Sequence, residues 1–117
     1  MTMIKAIEPE RWMTFLDDFT ARNRGRRARF EIFSHGDASE EESEARFESA
    51  ALSGSEVTIR RSYQRQGEPA EMVDELDGVT GISVQYDTDN SEAMLEFMND
   101  RNELTTLHFE SLVDGDS

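Results

Sequence analysis

Trp12, Phe15, Leu16 and Phe19 recur at i, i+3, i+4 and i+7, the spacing that aligns apolar side chains along one face of an α-helix. Such a stripe has to be covered, and it limits what this chain can become. The ends of the helix are marked as clearly as its face. Pro9 suits the first helical position, where a missing N–H costs nothing. With Glu8 as the cap residue, Ile7 and Trp12 stand where a hydrophobic staple pairs. Glu8 and Glu10 in the first turn and Arg22 and Arg24 in the last complement the helix dipole, and Gly25 ends the helix in a left-handed conformation.

After Gly25 the apolar period falls from about 3.6 to two. The run RRARFEIF (26–33) sets Ala28, Phe30 and Ile32 against Arg27, Arg29 and Glu31, and SEARFESA (43–50) sets Ala45 and Phe47 against Glu44, Arg46 and Glu48. SEVTIRRSY (55–63) places Val57, Ile59, Arg61 and Tyr63 on one side, and GISVQYD (81–87) does the same with Ile82, Val84 and Tyr86. EAMLEFM (92–98) serves either a strand or a helical turn, and ELTTLHFES (103–111) carries Leu107 and Phe109 opposite Thr106 and His108. The clusters SHGDAS, LSGS, RQGEP, DTDN and NDRN punctuate these runs as turns. AEMVDELDG (70–78) reads equally as a short helix or an irregular crossing. The pattern predicts an α+β fold: an N-terminal amphipathic helix packed on an antiparallel meander sheet of about six strands. It forms one domain over residues 1–112, followed by a flexible acidic tail at 113–117.

Composition narrows the setting. The 117 residues suffice for one unstapled core, the chain has no Cys, and its ten aromatic residues argue against disorder. No apolar run reaches the roughly 18 residues of a membrane helix and no signal-peptide core follows the N-terminus, so a cytoplasmic protein without a membrane partner is expected. The net charge of −14 is unevenly placed: residues 1–30 sum to +3 and residues 31–117 to −17.

Two charged stretches are the candidate partner-binding residues. The first is DASEEESEARFESA (37–50), with Glu40, Glu41, Glu42, Glu44 and Glu48; its opening is expected as an exposed loop leading into an edge or near-edge strand, with Glu44, Arg46 and Glu48 facing water. The second is RNRGRRAR (22–29), with Arg24, Arg26, Arg27 and Arg29, the residue type that clamps phosphates and carboxylates. Both also have a plain reading, as a solvated face and as helix-end and intramolecular pairing. Direct nucleic-acid binding is disfavoured, because the surrounding charge repels a polyanion. Mimicry of nucleic acid is the alternative. A compact chain of this length is about 35 Å across, and duplex DNA of that length carries roughly twenty charges.

Catalytic signatures are missing from the sequence. His35 and His108 have no partner spacing, and DTDNSE from Asp87 opens like a calcium loop but has Glu92 where the loop needs Gly and Met98 where it needs Glu. It reads as a hairpin turn. No cofactor and no metal site is expected.

The stretches IEPERWMTFLDDFTARNRG, ALSGSEVTI and ELTTLHFES together resemble the bacterial domain-of-unknown-function family 5335, through Trp12, Phe15, Leu16, Phe19, Asn23, Gly25, Leu52, Gly54, Thr105, Leu107 and Phe109. The similarity spans about residues 7–112. It implies a small α+β domain and assigns no activity. The expected function is a non-enzymatic interaction or regulatory domain that meets a protein partner through its acidic face or an unpaired strand edge. A nucleic-acid mimic and a small-molecule pocket between helix and sheet are the alternatives.

Overall fold

The computed structural model describes residues 3–34, 37–40 and 45–110, without the side chains of residues 32–40. Pro9–Arg11 form one 3-10 turn that runs directly into α1, Trp12–Asn23. Glu8 is extended at the cap position but makes no side-chain cap bond. The Trp12 indole N–H fixes the entry instead, donating to the Ile7 carbonyl at 2.9 Å, while Ile7 packs against the core. At the other end Gly25 adopts φ +92°, a conformation open to Gly at little cost.

Nine strands are described, all antiparallel. They are β1 (Met3–Ile7), β2 (Arg27–Ser34), β3 (Asp37–Glu40), β4 (Ala45–Ser53), β5 (Glu56–Arg65), β6 (Glu68–Leu76), β7 (Val79–Tyr86), β8 (Glu92–Asn99) and β9 (Leu104–Phe109). Eight follow the order β1-β7-β8-β9-β2-β4-β5-β6, and β3 pairs with β2 off that path. Two meanders, β7-β8-β9 and β4-β5-β6, therefore flank β2. The α+β class and the antiparallel sheet agree with the sequence reading.

The count of six strands and the simple meander do not. All six periodic runs are strands, and three more join them. β6 escaped because both its faces carry acid, which hides the period: Met72, Asp74 and Leu76 face one way, Glu71, Val73 and Glu75 the other. Its nine-residue pairing with β5, from Val57↔Leu76 to Arg65↔Glu68, settles the matter. β1 is only five residues long, and β3 consists of turn-forming residues held by pairing with β2. The stretch expected as a loop from Asp37 is thus a strand through Glu40, and residues 41–44 lie outside the described ones. Nor does it lead to a sheet edge, since β4 is interior.

Among the described residues β2 and β4 pair at Arg27↔Arg46 and Ala28↔Ala45, and the Phe47 backbone bonds Gly25 and Arg26 just beyond. Beyond that point α1 takes the place of the missing neighbour. The Thr20 hydroxyl accepts from the Ala50 N–H at 3.0 Å and donates to the Ala50 carbonyl at 3.2 Å. A bulge between Phe47 and Ser49 lets Phe47 and Ala50 both reach the core. The helix stripe is buried as the spacing requires, with Trp12, Leu16 and Phe19 inside and Phe15 partly covered. Phe19 packs 5.7 Å from Phe47 and 5.5 Å from Phe109, and those two rings meet edge-on at 5.5 Å.

Because Phe19 joins the helix to both meanders, Phe19→Ala should destabilise the fold by about 3–5 kcal/mol, measured by urea titration. A loss below about 1 kcal/mol would show that the aromatic junction does not hold the layers together.

Candidate functional site

The nominated charged residues that are described take different roles. The side chains of Arg24 and Arg26 are turned onto backbone: Arg24 Nε donates to the Glu48 carbonyl at 3.0 Å, and Arg26 donates to the carbonyls of Glu92 (2.6 Å) and Glu110 (2.9 Å). Arg26 also lies 4.8 Å over the Phe109 ring, and burial pushes its guanidinium pKa down despite Glu92 nearby. Arg27 and Arg29 stay exposed on β2, Arg27 4.0 Å from the Glu110 carboxylate. Arg46 is exposed as expected, whereas Glu48 sits at the β4 bulge, half-buried, and accepts from the Ser62 hydroxyl at 2.7 Å. The Glu40 side chain and Glu41, Glu42 and Glu44 lie outside the described residues, as do His35 and the tail at 113–117. His108 pairs with Glu31 at 2.9 Å. Asp87–Asn90 form the turn between β7 and β8, with Asn90 at φ +70°.

The structure gathers Glu92 with Arg22, Asn23 and Arg26, residues that the sequence reading named separately without grouping them. A register shift between Gln85 and Tyr86 sets Glu92 opposite Tyr86, which turns a carboxylate inward to 6% exposure. Arg22 Nε lies 3.2 and 3.1 Å from its two oxygens, and Asn23 Nδ2 donates to it at 3.1 Å. Asn23 in turn accepts from Arg26 at 2.9 Å. The bond to Glu92 holds the Arg22 pKa above its ordinary value. This network ties the end of α1 to the start of β8. A buried cation, Arg61, lies on the inner face of β5 with 0% exposure, 4.3 Å over the Phe30 ring and 3.3 Å from Asp74. Its place among Val57 and Ile59 was visible in the alternation; its partners were not, because Asp74 sits in the run that hid its strand.

Between α1 and β1 runs a cleft of about 410 Å³. Ile7, Phe15 and Tyr86 give it apolar walls, and the Arg22–Glu92 pair lies at one end. Lys5 and Arg11 reach it from the strand and from the turn before the helix. Their side chains form no hydrogen bond or ion pair among the described residues. Glu8 and Asp18 also line it.

The cleft lies along one of the two ends of the sheet. At the opposite end, β6 presents Pro69 and four acids in nine residues, devices that blunt an exposed strand edge. There Glu56 has its pKa pushed up, first by its hydrogen bond with Asp77, with Glu75 close by. β1 is different: MIKAI has no acid, and Met3 and Ile4 are each 63% exposed. No described strand pairs with its outer edge.

Among the described residues no group of three His, Cys, Asp or Glu is placed to hold a metal ion, and no helix is long and apolar enough to cross a membrane. Comparison with protein-family models, curated proteins and solved structures gave no match.

Two outcomes test this electrostatic layout. Glu92→Gln should cost about 1.5–3 kcal/mol in urea titration, since it weakens charge-assisted bonds to a buried group; no change would mean that the network is fully solvated. A raised Glu56 pKa means that ionisation penalises the folded state, a penalty present at neutral pH and relieved as pH falls through the folded pKa. Glu56→Gln should therefore raise the Tm at pH 7, with the gap closing towards the usual carboxylate range. A gap that stays constant with pH would show that Glu56 carries no such penalty.

Proposed function

We propose that this chain is a non-enzymatic, cytoplasmic interaction domain that engages a protein partner through the open strand edge at β1. The observation that carries this reading is the inequality of the two sheet ends. β6 is guarded by Pro69 and acidic side chains, while the outer edge of β1 pairs with no described strand and carries exposed Met3 and Ile4. An exposed edge is a template for strand addition, in which main-chain bonds supply affinity and side-chain pockets supply specificity. The cleft beside β1 provides such a pocket. It also supports a second reading, a site for a small molecule, since it combines apolar walls with polar groups. Membership of family 5335 belongs to the same proposal. The helix and closing strand that carry the resemblance form core elements here, so the resemblance reaches the scaffold and leaves the binding edge to this chain.

Selection of peptides displayed on phage tests the reading. Selected peptides should bind about tenfold or more weakly to Ile4→Pro, which removes a backbone donor from β1, and equally well to Val73→Pro, the corresponding change at β6. Thermal melts confirm that each variant is folded. If Ile4→Pro leaves binding intact, β1 is not the docking edge.

A further inference from the structure

The chemistry of the partner can be narrowed, on the premise that β1 is the docking edge. We propose that β1 accepts an extended segment in which one Glu or Asp stands opposite Lys5, with apolar residues two positions to either side.

Register gives the first reason. Met3, Lys5 and Ile7 pair with Tyr86, Val84 and Ile82 on β7, and Val84 and Ile82 are core residues beneath α1. Residues directly opposite one another in a sheet point to the same face, so Lys5 and its two neighbours face the helix side and the cleft. An added strand places every second side chain on that same face. Its residue opposite Lys5 lies within about 5 Å of it, and its flanking residues meet Met3 and Ile7. Ile7 is half-buried among apolar groups, and Met3 is an adaptable thioether on the surface.

Charge gives the second. Acids outnumber bases 26 to 12 in this chain, yet Lys5, its only Lys, makes no side-chain bond among the described residues, and neither does Arg11 beside the same cleft. A carboxylate opposite Lys5 supplies the missing partner. Glu8 and Asp18 limit how much negative charge the cleft tolerates, so a single acid fits better than an acidic run. The same lysine works against the other obvious occupant, a second copy of this chain. Two-fold antiparallel pairing centred on the middle of β1 sets Lys5 against Lys5, and like charges directly opposite are destabilising. Each copy also brings a net charge of −14. Lys5 thus guards the edge against self-pairing and selects an acidic strand.

The test is fluorescence anisotropy with a labelled seven-residue peptide carrying Glu at its centre, Val two positions to either side and Thr elsewhere. A matched peptide carries Lys at the centre. The Glu peptide should bind about five- to tenfold more tightly than the Lys peptide. Lys5→Glu should invert that preference, and sodium chloride should shrink it. Should Lys5→Glu fold poorly, Lys5→Met takes its place and should abolish the preference. Equal binding of both peptides, lost in Ile4→Pro, would overturn the acidic selectivity and leave the edge reading standing. Binding indifferent to Ile4→Pro would overturn both. Free glutarate competing as strongly as the Glu peptide would make the cleft a small-carboxylate site and overturn the strand proposal. Absence of binding by either peptide would also overturn it, and the phage selection would then judge the edge by itself. Self-association in sedimentation that is lost in Ile4→Pro would assign the edge to a second copy instead.

Discussion

The sheet parts between β2 and β4, and the helix closes the opening. Past Phe47, whose backbone bonds Gly25 and Arg26, β4 has no strand neighbour on that side among the described residues, and backbone groups left buried and unpaired there would each cost about 1–3 kcal/mol. Thr20 prevents this at Ala50 by accepting and donating through a single hydroxyl, and Arg24 covers the Glu48 carbonyl. The position of α1 is therefore set by hydrogen-bonding demand as well as by its apolar stripe. Phe19 then has one place to go, between Phe47 on β4 and Phe109 on β9. The bulge after Phe47, the burial of Asn23 and the tight turn at Gly25 all follow from bringing a helix end onto a sheet at that point.

Much of this scaffold was legible in the sequence. Trp12, Leu16, Phe19, Phe30, Phe47, Ile59, Ile82 and Phe109 were readable as core from period alone and are buried, because period reports which face a residue occupies. What period cannot report is pairing between distant segments. The separation of β2 from β4, the long β5–β6 pairing and the attachment of β1 to β7 are non-local. Glu92 shows the same limit on a smaller scale. Simple alternation from Leu95 and Phe97 points Glu92 outward; the shift at Tyr86 turns it in, and a bulge leaves little trace in composition. The candidate site was less legible than the core, since it depends on which strand ends the sheet. The five residues of β1 carried no signal of that.

The negative charge now divides into separate roles. On β6 the acids flank an edge that would otherwise invite pairing, and crowding among Glu56, Glu75 and Asp77 raises the Glu56 pKa. On β8 a single Glu is buried to hold two arginines and an asparagine. On the arginine side, Arg24 and Arg26 bond backbone carbonyls and Arg26 covers an aromatic ring, while Arg27 and Arg29 stay exposed on β2. Residues with similar labels in a composition table therefore perform different physical work, and position in the fold decides which.

Preorganisation connects the scaffold to the proposed site. Binding an extended segment costs ordering entropy on both sides, and a receptor whose walls are already fixed contributes less of that cost. Both walls of the cleft are tied down. The Trp12 indole holds the Ile7 carbonyl, coupling the end of β1 to the start of the helix. Glu92 holds Arg22, coupling the end of the helix to β8. The outer edge of β1 thus runs beside a groove whose walls are joined by hydrogen bonds at both ends. A five-residue strand offers few main-chain bonds, and selectivity there must come from what the groove adds. Lys5, centred on the strand and without a side-chain bond among the described residues, is the group best placed to add it.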